Sequence, residues 1–212
     1  MKYKKLLWPL IIISIIGTIA ILPTLPEQIP IHWNAKGEID GYGPKYSSLI
    51  LACVPALIYL LMTYMPKIDP KKENYKKHSK AYSIITASTV IIFIVLHWIT
   101  ILAALNLINR VDFFVKLLVA ILFVILGNYM TQLRFNYFTG IKLPWTLASE
   151  TVWKKTHRVG GIGFMIIGII YIISSFISGS LSFIITMVSL FILMSFTTIY
   201  SYIEYQKEIN NK

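Results

Sequence analysis

Apolar residues in this chain gather into six long runs, not into short alternating stretches. The runs are Leu6–Leu22, Ser47–Met65, Ser83–Leu105, Phe113–Met130, Gly160–Ile177 and Leu181–Tyr202. A helix needs roughly 20 apolar residues to cross the hydrocarbon of a bilayer. Within lipid, a helix satisfies its own backbone hydrogen bonds. The pattern therefore predicts an all-α, polytopic membrane protein with six transmembrane helices. Polar runs between them predict two additions, a structured outer loop and a short amphipathic inner helix. The first run follows the basic Met1–Lys5, as a signal peptide would. "ILPTLPEQIP" after it lacks a small-x-small cleavage site, so an uncleaved anchor is expected.

The intervening segments divide the chain. Residues 1–66 read as an N-terminal two-helix unit with a Pro/Gly-rich extracellular loop at 23–46. Residues 67–82 read as a basic cytoplasmic loop. Residues 83–212 read as a C-terminal four-helix unit with a cytoplasmic motif at 127–161. "SGS" at Ser178–Ser180 makes the last two spans an antiparallel hairpin. Pro55 should kink the second span. Gly160, Gly161, Gly163 and Gly168 should let the fifth approach a neighbour closely. Serines and threonines of the sixth span should bond back to their own helix. His97 is the one ionisable group clearly at depth; a neutral histidine bonded to an adjacent helix is its expected state, with a relay or ligand role as the alternative. No Asp or Glu falls inside a predicted span, which argues against an ion-coupled transporter.

Composition agrees. Of 212 residues, 56% are hydrophobic and only 14% are charged, against about 25% in soluble domains. Charge then sets orientation, because Lys and Arg concentrate in cytoplasmic loops. With both termini inside, sixteen of the twenty cations face the cytoplasm. The formal net charge of +11 then sits wholly on that face. Topology and attraction to anionic lipid explain this charge without direct nucleic-acid binding. A docking surface for an acidic cytoplasmic partner, centred on "KIDPKKENYKKHSKAY", is the alternative. Cys53 is the single cysteine, so no intrachain disulfide forms.

The outer loop reads "LPTLPEQIPIHWNAKGEIDGYGPKYSS". Pro23, Pro26 and Pro30 exclude helix, "IPIHWN" alternates, and Gly37, Gly41 and Gly43 supply turns. A short hairpin on the membrane surface is expected. His32, Trp33, Asn34, Gly37, Asp40 and Lys45 are its candidate binding residues. The loose spacing of His32, Glu38 and Asp40 is a poor metal pattern, and no metal or other cofactor is assigned.

The inner loop contains "GIKLPWTLASETVWKKTHRVGG". Pro144 should open a short helix from Leu147, with Thr146 as its N-cap. Glu150, Trp153 and His157 would share one face, and Glu150 and Lys154 would pair at i, i+4. An interfacial helix with tryptophan anchors explains Trp145, Trp153 and the lysines. It explains less well Asn128, Asn136, Gly140, Thr146, Glu150, Thr156, His157 and Arg158, since polar groups at membrane depth need partners. A folded polar network at the inner end is the expectation. Trp145, Trp153 and Arg158, as buried partners, should tolerate substitution less well than Lys71–Lys80.

"GNYM", "NYFTGIKLPWTL" and "VWKKTHR" resemble, in that order, the signature of the SdpI family, membrane immunity proteins for the sporulation-delaying-protein toxin. Lys142 stands where many relatives have arginine. "IPIHWNAKG", with Asp40 and Lys45 following, resembles the family's N-terminal pattern. The resemblance implies a multi-pass bacterial plasma-membrane protein that protects against a secreted peptide toxin. It also implies retention of a cytoplasmic ArsR-like repressor at the membrane. Two other readings stand beside it. One is a membrane enzyme or lipid-binding protein using Asn136, Glu150, His157 and Arg158, although no known catalytic motif is present. The other is a peptide or drug exporter.

Overall fold

The structure is a computed structural model that describes residues 4–211. The topology cations Lys2 and Lys212, and the side chain of Lys4, lie outside what is described. Six helices are long and apolar enough to cross a membrane. They are α1 (Lys4–Ile21), α2 (Ser47–Ile68), α4 (Ser79–Ala104), α5 (Val111–Met130), α7 (Glu150–Ser175) and α8 (Ser180–Asn210). Between them lie β1 (Gln28–Trp33), β2 (Ile39–Pro44), the single turn α3 (Asn74–Lys77) and the short α6 (Pro144–Ala148). The chain is a multi-pass membrane protein, and all six expected spans form.

Two helical groups share α4. Leu7 and Ile11 of α1, Tyr59 of α2 and Val90 of α4 form one buried cluster. Ala120 of α5, Ile167 and Tyr171 of α7 and Leu193 of α8 form another. The closest pair is α5 with α7, and glycine is the reason. A Cβ on Gly161 would stand 2.8 Å from the Gly127 carbonyl, and one on Gly168 would press on Val124 and the Ala120 carbonyl. His97 joins α4 to α1, its Nε2 lying 2.7 Å from Thr18 Oγ1. Along α8, Thr186, Ser189, Thr197 and Ser201 donate to carbonyls three or four residues back. Ser182 differs, since it donates across to the Ser174 carbonyl of α7. Cys53 is exposed on α2.

Two helix boundaries differ from the hydropathy pattern. The fifth helix begins at Glu150, ten residues before its apolar run. Glu150, Trp153 and His157 therefore belong to α7 and not to a separate interfacial helix, and the short inner helix is the one turn α6. Thr146 is not the N-cap. Ser149 caps α7, its Oγ accepting from Thr151 and Val152 N–H. Thr146 lies inside α6, where its hydroxyl takes the Leu143 N–H at 2.8 Å.

Candidate functional site

At the end of the bundle that charge predicts to be the inner one, the polar residues converge on irregular backbone. After α5 the chain runs without helix from 132 to 143, and its amides and carbonyls need partners. Asn136, fully buried, supplies five contacts. Its Oδ1 accepts from Phe138 and Thr139 N–H at 3.0 and 2.7 Å, and its Nδ2 donates to the Arg134 and Thr139 carbonyls, both at 2.9 Å. The Tyr75 hydroxyl lies 3.0 Å from the same Oδ1 and 2.9 Å from Asp69 Oδ2. Asp69 also accepts from Tyr137 and Lys71 N–H. Burial and the adjacent carboxylate hold the Tyr75 phenol far above its ordinary range, so it remains a donor. His78 Nδ1 accepts from Arg134 N–H at 3.1 Å. Burial, with the Arg134 charge second, lowers His78 to about 4, and the imidazole is neutral at pH 7.

One turn along, Gly140 has φ 125°, and a Cβ there would run into His157 Nε2 and the Trp153 ring. His157 Nε2 accepts the Ile141 N–H at 3.0 Å, while Nδ1 lies 2.8 Å from the Trp153 carbonyl. An accepting Nε2 fixes the neutral tautomer with its proton on Nδ1. The rings of Trp153 and His157 stack at 3.9 Å, and Trp153 Nε1 donates to the Leu133 carbonyl at 2.9 Å. Trp145 reaches across to α8, donating to Ser201 Oγ and meeting Tyr202 edge-on.

The network gathers some expected residues and excludes others. Asn136, Gly140, Thr146, Trp153 and His157 form it, and Pro144 starts α6. Thr156 is buried beside it, its hydroxyl without a partner among the described residues. Asn128, Glu150 and Arg158 are exposed, so Arg158 is not the buried partner expected of it. Glu150 and Lys154 form no ion pair. The quartet Asn136, Glu150, His157 and Arg158 does not face one site: two members are bound up in backbone contacts and two face outward. Asp69, Tyr75 and His78 were missed. They lie in the lysine-rich loop, where alternating charge masked the three residues that turn inward.

At the opposite end, predicted to be the outer one, β1 and β2 pair antiparallel, with a register irregularity between Pro30 and His32. Asn34 and Gly37 make the turn: Gly37 takes φ 83°, and Asn34 Oδ1 accepts from Lys36 and Glu38 N–H. Trp33 packs on Ile99, Ala103 and Val111. His32 Nδ1 meets Asp40 Oδ1 on the exposed face, and Lys45 pairs with Glu27 at 2.9 Å, which raises the lysine above its ordinary value. No group of three or more His, Cys, Asp or Glu side chains that could hold a metal ion occurs among the described residues.

Beneath the hairpin lies a cavity of about 720 Å³ between the turn and the outer halves of α5, α7 and α8. Its walls are mostly apolar, with Val115, Phe123, Tyr171 and Met187 among them. Its rim is polar: Asp112 pairs with Lys116 at 3.1 Å, beside Asn34 and His32. Asp112 and Lys116 were also missed, because a lone i, i+4 pair at a helix start looks like ordinary end chemistry.

Comparison with known proteins finds a separate match at each of these two ends. Residues 132–201 match the model of the SdpI/YfhL protein family, and residues 10–58 match a domain of unknown function, DUF1648. The chain is 29% identical over 202 residues to the protein named Immunity protein SdpI of Bacillus subtilis (strain 168), covering 95% of this chain and 94% of that one. No solved structure matches. The outer hairpin falls in one matched segment and the residues 132–157 of the inner network in the other, and the chain is similar to the SdpI/YfhL family there and to the named immunity protein along its length.

Proposed function

We propose that this protein confers immunity to a secreted peptide toxin at the bacterial plasma membrane, holding the peptide at the outer cavity. The observation that carries this reading is the cavity beneath the hairpin, apolar in its walls and charged at its rim. An amphipathic peptide that inserts into membranes presents complementary chemistry, and burial of apolar area would supply most of its affinity. The relative named as an immunity protein aligns along nearly the whole chain, hairpin included, which supports the same reading.

In this reading both termini are cytoplasmic, the hairpin is extracellular, and the C-terminal unit 83–212 carries the response inward. The basic inner loops hold an ArsR-like repressor when toxin is bound, and anionic lipid surrounds them. Expression in a host sensitive to the sporulation-delaying-protein toxin tests the first step. Survival should rise with the wild type and fall back with Val115→Trp, which fills the cavity without touching the inner network. Unchanged killing at good wild-type expression would overturn protection against that toxin. For the second step, the repressor should co-sediment with membranes only when toxin is present.

A further inference from the structure

Three cations from separate segments wall one recess at the inner end. Lys77 closes α3, Arg134 follows α5, and Lys154 lies one turn into α7. With Asn74, Phe135, Glu150 and Trp153 they enclose about 350 Å³. Among the described residues, none of these three side chains makes a hydrogen bond or an ion pair. Several neighbouring lysines are occupied: Lys76 sits 2.6 Å from Glu73, Lys155 and Lys207 share Glu204, and Lys67 and Lys71 lie over aromatic rings, while Lys72 and Lys80 are unpaired among the described residues but do not line the recess. What sets the recess apart is that three unpaired cations share one wall, with fewer carboxylates than cations beside them.

Glu150 is the one carboxylate on the wall, so three cations against one acid leave a surplus of two positive charges. Gathering like charges costs Coulomb energy unless an anion lies among them. The back wall is rigid, because Trp153 is fully buried and anchored to the Leu133 carbonyl, and Asn74 is tied to the Phe135 carbonyl at 2.8 Å. The first amides of α7 are taken by Ser149, so the side chains and not the helix end make the site.

We propose that this recess binds a phosphate-bearing anion. Arginine presents a planar fork to phosphate oxygens and lysine a point charge. The volume admits a phosphate together with the group it esterifies. The phosphate could be that of an anionic lipid headgroup in the inner leaflet or of a free cytoplasmic anion, and both would meet the same three cations. The inference rests on the recess alone and is independent of the immunity reading.

The test uses the purified full-length protein in neutral detergent. Thermal unfolding is followed against short-chain phosphatidylglycerol, inorganic phosphate and, at matched ionic strength, chloride. A saturable rise with phosphatidylglycerol alone supports the lipid source, and a rise with inorganic phosphate as well supports the free anion. The triple variant Lys77→Gln, Arg134→Gln, Lys154→Gln should weaken binding roughly a hundredfold, at about fivefold per cation. Glu150→Gln should tighten it roughly fivefold, a change that misfolding cannot imitate. No rise above chloride with either phosphate probe would overturn the proposal, as would equal affinity in the triple variant. Stabilisation by an acidic peptide while both phosphate probes fail would also overturn it, in favour of a protein partner.

Discussion

The inner end and the outer mouth both carry signature residues, yet they spend them in opposite ways. At the inner end, Asn136, His157, Thr146 and Asp69 are buried, and their polar atoms are occupied by the chain's own amides and carbonyls. At the outer mouth, His32 and Asp40 are exposed on the hairpin, above a cavity whose walls are mostly apolar. The difference teaches what a dense polar motif in a membrane protein costs and does. Twelve residues of irregular backbone at 132–143 leave amides and carbonyls without a helical ladder, and the motif satisfies several of them. Its core is a lock. Accessible volume lies elsewhere, under the hairpin and in the cationic recess beside the lock.

The largest expected effect breaks the lock. Gly140→Ala should destabilise the protein by about 3 kcal/mol, because a positive φ is joined by overlap with two held rings. Gly179 is the outer-side control: its φ is 80°, but a Cβ there meets nothing within 4 Å. Gly179→Ala should cost only the backbone strain, about 1 kcal/mol. Thermal unfolding of the two variants in the same detergent decides, and equal losses would show that the inner packing adds nothing. Next comes Asn136→Ala, which orphans two amides and two carbonyls at once. A loss of about 2 kcal/mol is expected, and retention of wild-type stability would remove Asn136 from the lock.

The same contrast explains what was legible in the sequence. Six spans were readable because hydrocarbon imposes a run length on each helix. The hairpin was readable because prolines and glycines constrain backbone locally. The start of α7 was not, since Glu150 to Arg158 are polar and their helix is held by tertiary partners such as Leu133, Ile141 and Glu204. The motif residues of 128–158 were visible as a set. Their division into buried Asn136 and exposed Asn128, or buried His157 and exposed Arg158, depends on which way the backbone turns. Asp69, Tyr75 and His78 were invisible because their partners lie about sixty residues away, in a loop that periodicity does not reach.

A smaller effect should appear with pH. Burial lowers His78 to about 4 in the folded protein against an ordinary 6.5, with Arg134 also opposing its charge and Asp69 favouring it. Between those values the unfolded chain takes up a proton that the folded chain refuses. The stability from this site is therefore complete above about pH 6.5 and is lost as pH falls toward 4. His78→Asn retains an acceptor for the Arg134 amide but cannot titrate. Its unfolding temperature should fall less than the wild type's across that window. Parallel profiles would place the acid sensitivity elsewhere, and His157, buried with its Nε2 accepting the Ile141 amide, would be the next histidine to replace.

The smallest expected effect on stability is the most informative about function. Arg158 lies in the signature, yet its side chain is exposed and makes no hydrogen bond or ion pair among the described residues. Arg158→Ala should leave stability within about 0.5 kcal/mol, as at an ordinary surface position. If survival under toxin and repressor retention are also unchanged, the signature is a folding device throughout, and the inner end contributes architecture alone. If either is lost at full stability, Arg158 meets a partner on that face of the protein. The inner end would then have a locked half, which shapes the backbone, and an open half formed by Arg158 and the recess cations. Survival and co-sedimentation assays on one stable variant separate these outcomes, because the network around Asn136 and His157 is untouched in both.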